Sequence, residues 1–284
     1  MLRPTLSLAV CLGAAVACAR RGAAPPADSG AAPRAEAIAG APDRAAPEHP
    51  PPARGSEPES VAPPAVPTSL PVPGSDPAVV SLPASRSGEA LPLFVAAHGA
   101  GDDPASMCAV FRALLENRGL LLCLAGPRVA VHSEGRYFPD HHALERLLVA
   151  SVDALVEAAP RAVDRTAAVY AGYSQGATMG ALMIAAHGDA FPRLLLVEGG
   201  FDAWTPSHAS EFRKRGGRRV LFACGRSYCR TRAESAARVL ERAGVEARVV
   251  SDLRGGHTYR GAVAEAVAPA LDWLLAGDPR WQRR

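Results

Sequence analysis

Ser174 stands in the middle of Gly172-Tyr173-Ser174-Gln175-Gly176, between a strand-like apolar run at Thr166–Ala171 and a small-residue helical pattern at Gln175–His187. Strand, tight turn and helix in immediate succession hold a serine hydroxyl clear of the sheet edge, and glycines on both sides let strand and helix approach. Helix capping by Ser174 alone would need neither glycine. A serine used as a nucleophile needs a base and donors for the negative oxygen that forms on attack. His98-Gly99-Ala100-Gly101-Asp102 follows another apolar run, and its turn could present one amide donor, at Ala100 or Gly101; the Gln175 amide, opening a helix, would be the second. Gly255-Gly256-His257 lies beyond the last strand-like run, where glycines free a histidine to reach the serine as base. His132, His141 and His142 precede the serine and His208 follows on a short loop, so surface or structural roles suit them better, with His141 and His142 also placed to line a groove.

The elements that must position these groups alternate. Apolar runs at Val79–Leu82, Leu91–Ala97, Leu120–Leu124, Thr166–Ala171, Leu194–Glu198, Val220–Cys224 and Val245–Val250 read as strands. Helical patterns lie between and after them at Ala105–Glu116, Ala143–Ala158, Gln175–His187, Arg230–Ala243 and Ala262–Leu275. This alternation predicts an α/β fold with a mostly parallel, doubly wound sheet, and a site beyond the carboxyl ends of its strands. About twenty residues separate Leu194–Glu198 from Val220, too few for a large cap domain.

His98-Gly99-Ala100-Gly101-Asp102, Gly172-Tyr173-Ser174-Gln175-Gly176 and Gly256-His257, in that order, resemble the α/β-hydrolase superfamily and within it the small phospholipase/carboxylesterase and dienelactone-hydrolase-like group. The resemblance spans about Leu91 to Leu275. It implies a mixed sheet of eight strands or slightly fewer, and ester hydrolysis without a cofactor or metal. It also implies an aspartate just beyond the strand at Val220–Cys224, but the chain continues there as Gly225-Arg226-Ser227-Tyr228-Cys229 with no carboxylate. Asp202, after the preceding strand, is the favoured acid for a Ser174–His257–Asp202 triad, with Asp252 and Glu198 as alternatives. Tyr137, Phe138, Tyr173, Phe201 and Trp204 are candidates to line an acyl pocket, core packing being the competing use of each.

The 284 residues carry a net charge of +3. Residues 1–18 combine an early arginine with an apolar run too short to span a bilayer, the pattern of a signal peptide. Ala15-Val16-Ala17-Cys18 resembles a lipobox, making Cys18 a candidate for lipidation. Residues 19–77 hold fifteen of the 26 prolines and no aromatic residue, so they read as a disordered tether. Residues 78–284 read as the folded domain, with 25 basic and 21 acidic side chains. The dense basic run Arg213–Arg219 lacks interleaved aromatics and reads as a solvated loop, which argues against a nucleic-acid partner. Export to an oxidising envelope predicts two disulfides among Cys108, Cys123, Cys224 and Cys229, with three possible pairings, of which the local ones, Cys108–Cys123 and Cys224–Cys229, are favoured. The reading is thus an exported serine carboxylesterase for small soluble or polymer-attached esters, periplasmic or lipid-anchored, touching a membrane only through an N-terminal lipid. A weak or inactive α/β-hydrolase-fold binding module is the rival.

Overall fold

Leu120–Leu124 (β4) reads Leu-Leu-Leu-Cys-Leu and is buried at every position, as is Arg193–Val197 (β6). Strands with no solvent-facing side belong in the middle of a sheet covered on both faces. A computed structural model of the chain describes residues 67–84 and 90–282 and places these strands accordingly. The other strands are β1 (Pro67–Leu70), β2 (Ala78–Ser81), β3 (Leu91–Ala97), β5 (Val163–Tyr173), β7 (Arg219–Cys224) and β8 (Glu246–Ser251). They form one eight-stranded sheet in the order β1-β2-β4-β3-β5-β6-β7-β8, antiparallel where β1 meets β2 and β2 meets β4, and parallel elsewhere.

Alternate residues of each strand feed two separate cores, because successive side chains point to opposite faces. Phe94 and Ala96 of β3 pack with Met107 and Phe111 of α1 (Pro104–Leu115) and Val267 and Leu271 of α6 (Ala262–Leu275). Leu93 and Val95 join the opposite core, with α2 (His141–Ala158), α3 (Gln175–Met183, extended by a 3₁₀ turn at Ile184–His187), α4 (Pro206–Lys214) and α5 (Ser227–Arg242). The predicted doubly wound α/β architecture is therefore observed, and only α4 lies between β6 and β7 where a cap would have to be inserted.

Two elements differ from expectation. The sheet starts at Pro67, inside the proline-rich tract, rather than at residue 78. Leu70 and Val72 are buried in the core there, and averaging composition over the tract hides so short a strand. Proline is tolerated because it opens an edge strand. The second is α4, a helix that precedes the basic run and overlaps it only at Arg213 and Lys214. Only Ala209 and Phe212 of its nine residues are buried, so its periodicity is faint, but Thr205 caps it by accepting from the His208 amide. Residues 1–66, on which the expected signal peptide, the lipidation at Cys18 and most of the expected tether fall, lie outside the described residues. Among the described residues no helix is long and apolar enough to cross a membrane.

Both local disulfides are present. Cys108 of α1 joins Cys123 of β4, and Cys224 at the end of β7 joins Cys229 in the first turns of α5. Closing a loop of 15 residues, the first constrains the unfolded chain by about 3 kcal/mol, and the second, closing five, by less.

Candidate active site

Tyr173 ends β5 and Gln175 begins α3, which leaves Ser174 alone to make the turn. It does so at φ 49°, ψ −106°, a conformation that costs a non-glycine residue about 1–3 kcal/mol. The flanking glycines are required by close approach: a Cβ on Gly172 would sit 2.5 Å from the Ala177 nitrogen, and one on Gly176 would run into the Ala97 carbonyl. Although Ser174 occupies the cap position of α3, its side chain caps nothing. Its Oγ lies 2.9 Å from Nε2 of His257 instead.

His257 comes from the loop between β8 and α6 and is held there on two sides. The Tyr173 hydroxyl donates to the His257 carbonyl (2.8 Å), and the Tyr259 hydroxyl donates to Asp102 Oδ1 (3.3 Å), tying this loop to the turn after β3. The other ring nitrogen, Nδ1, is 2.8 Å from Oε2 of Glu198. A carboxylate only accepts, so Nδ1 carries the proton and Nε2 presents its lone pair to the serine hydroxyl.

The acid at the histidine is thus Glu198, not Asp202. Asp202 is solvent-exposed and pairs with Arg232, through its Nε (2.9 Å) and its Nη2. Asp252 is turned to Arg254, whose hydrogen bonds hold its carboxyl down to about 2. Glu198, by contrast, has a fully buried side chain and, like Ser174, a positive φ, 52°. Its Oε1 accepts from the Gly225 and Arg226 amides (2.6 and 3.0 Å), and its Oε2 accepts from Arg226 Nε (2.6 Å) as well as from His257. Four donors saturate the carboxylate and fix its orientation toward the ring. The loop after β7, which carries no acid, supplies amides to the acid of the neighbouring strand, and the Cys224–Cys229 bridge brackets those amides. Glu198, Cys224 and Cys229 are the only cluster of metal-ligand atoms among the described residues; with both sulfurs in the disulfide, it offers no thiolate.

Of the three expected oxyanion donors the structure leaves two. The Gly101 amide is committed to the Arg136 carbonyl at 2.7 Å, because the turn after β3 pairs with the segment around Arg136. The amides of Ala100 and Gln175 meet no backbone acceptor among the described residues. The Gln175 side chain accepts from the Phe138 amide (2.8 Å), fastening the loop before α2 to the start of α3, a role not read from sequence. Of the candidate pocket residues, Phe138 is buried and stacks on His98, and Trp204 is buried against Phe212, so both are core. Tyr173 packs at 5.3 Å beside the His257 ring. His208 bonds the Ala181 carbonyl, and His142 lies beside Glu145, as structural or surface histidines do.

His98 shapes the turn without reaching the reacting groups. Its Nδ1 faces the Gly99 carbonyl at 2.8 Å and its Nε2 faces the Gly126 amide at 3.1 Å. Those partners fix the neutral Nδ1–H form, since a second proton would point at another donor. Burial, the largest influence, lowers its pKa. The unfolded chain takes up this proton near pH 6.5 while the folded one resists, so the stability His98 contributes is present above pH about 6.5 and is lost as pH falls below it. Urea unfolding at neutral and mildly acidic pH is expected to show a loss of up to about 1.4 kcal/mol per pH unit from this one proton. His98→Gln is expected to flatten the slope, and an unchanged slope would remove His98 as its source.

No protein-family model matches the sequence, nor does any curated protein. Solved structures resemble it in fold. A dienelactone hydrolase from Anabaena variabilis superposes with a TM-score of 0.53 at 18% identity, over 75% of this chain and 97% of its own. A ferulic acid esterase does so with 0.54 at 16%, over 76% and 98%. Est1E from Butyrivibrio proteoclasticus gives 0.51 at 14%, over 74% and 99%.

Proposed function

We propose that this chain, whose fold is that of the α/β-hydrolases, is an exported serine carboxylesterase acting on small soluble or polymer-attached esters. The observation that carries the reading is the unbroken relay from Ser174 Oγ through His257 to the buried Glu198, with links of 2.9 and 2.8 Å. In the proposed cycle Ser174 attacks the ester carbonyl carbon while His257 Nε2 takes the hydroxyl proton. Glu198 stabilises the imidazolium, and the amides of Gln175 and Ala100 receive the oxyanion, each worth about 100- to 1,000-fold in rate. The imidazolium then protonates the leaving alcohol, and a water activated by the same histidine releases the acid and restores the serine.

The substrate class follows from openness. Only α4 is inserted between β6 and β7, and the His257 side chain is 38% exposed, so extended esters can approach from solvent. The two disulfides and the leader-like residues 1–18 support export. The test is covalent: a fluorophosphonate probe is expected to label the full chain at Ser174. Absence of labelling in folded protein would show that the serine is not activated.

A further inference from the structure

Five of the seven residues from Arg213 to Arg219 are basic, and the catalytic reading uses none of them. They do not form a uniform solvated loop. Arg215 turns back to Glu211 (2.7 Å) on α4. Arg213, Arg218 and Arg219 instead converge with Arg193, the first residue of β6, on a cavity of about 440 Å³ that Gly244, Glu246, Ala276 and Gly277 also line.

Arg193 is the unusual member. It is 3% exposed, and its Nε and Nη1 donate to nothing among the described residues. The nearest carboxylate, Asp278, stands 3.5 Å from Nη1 and is already engaged by Arg280 at 2.6 and 2.9 Å. Arg219, the neighbouring guanidinium, is spent on the Trp273 and Ala276 carbonyls and on Glu246. Four guanidinium groups thus share a cavity whose one lining carboxylate, Glu246, is 58% exposed. Buried charged donors without acceptors are unfavourable unless an acceptor-rich partner fills the space. The planar forks of arginine match a compact oxyanion with several acceptor oxygens. Arg193 and Arg219 open their strands whereas Ser174 and Glu198 follow strand ends, so the cavity lies at the opposite edge of the sheet from the candidate active site.

We propose that this cavity is a binding site for a phosphate group, gripped by Arg193 from the buried side and by Arg213 and Arg218 from the solvent side. The phosphate is either free or borne on a lipid headgroup, and the two sources separate experimentally. With the full chain, inorganic phosphate is expected to raise the unfolding midpoint by about 3 °C over sodium chloride of equal ionic strength. In R213A/R218A, which removes two exposed side chains, the rise should vanish. K214A/R215A removes the same charge from the same segment and should keep it. Phosphorus NMR of inorganic phosphate titrated with the unmodified chain reads the same binding without a variant. In the second arm, sedimentation with phosphatidylcholine vesicles containing phosphatidic acid, retention lost in R213A/R218A but kept in K214A/R215A, without a free-phosphate effect, assigns the site to a headgroup. No response in either arm, or equal losses in the two double variants, overturns the proposal.

Discussion

Ser174→Ala is expected to lower kcat on p-nitrophenyl butyrate by about 10⁶-fold, the loss seen when the nucleophile of such a relay is removed. Without Oγ no acyl-enzyme can form, and His257 has nothing to deprotonate. The amides of Gln175 and Ala100 remain, so a residual rate above water should persist. The fold should not respond: the Ser174 side chain hydrogen-bonds to His257 and does not cap its own helix, and alanine tolerates the turn no worse than serine does. An unchanged unfolding midpoint beside lost turnover and lost fluorophosphonate labelling is the expected pair of results. Turnover that survives the substitution would locate the chemistry elsewhere and dispose of the esterase reading.

Glu198→Gln is expected to lower kcat by about 10⁴-fold with little change in KM, because an amide can hold His257 with the wrong nitrogen protonated and cannot stabilise an imidazolium. Asp202→Asn and Asp252→Asn should stay within about twofold of the unmodified chain, since each carboxylate faces an exposed arginine rather than the relay. The comparison separates the three acids in one assay. Should Asp202→Asn prove the damaging change and Glu198→Gln the mild one, the assignment reverses. Arg226 sharpens the case for Glu198, since its Nε and the His257 Nδ1 both meet Oε2, at 2.6 and 2.8 Å.

The serine and the histidine were legible because their chemistry is written locally. A glycine-flanked serine between an apolar strand and a helix has few other uses, and a histidine preceded by two glycines after the last strand has the reach it needs. The acid is not written locally. In the sheet Tyr173 pairs with Val197 and Val197 with Ala223, which puts Ser174, Glu198 and Cys224 level at the ends of three adjacent strands. That alignment hands Glu198 the amides of Gly225 and Arg226. Asp202, four residues along, has already left the sheet for solvent. The Gly101 amide is lost to the site for the same reason, since it is taken by Arg136, a partner distant in sequence.

What the amino-acid order determined by itself was whatever depends on neighbours along the chain: the alternation of apolar strands and helices, the turn at Ser174, the glycines that lead into His257, and a preference for pairing nearby cysteines. Only the folded sheet decided which carboxylate meets the histidine, which amide stays free, and where the arginines between 213 and 219 point. Strand order and register bring together groups whose separation in sequence carries no trace of their distance in space, and a buried charge finds its partners only once those strands lie side by side.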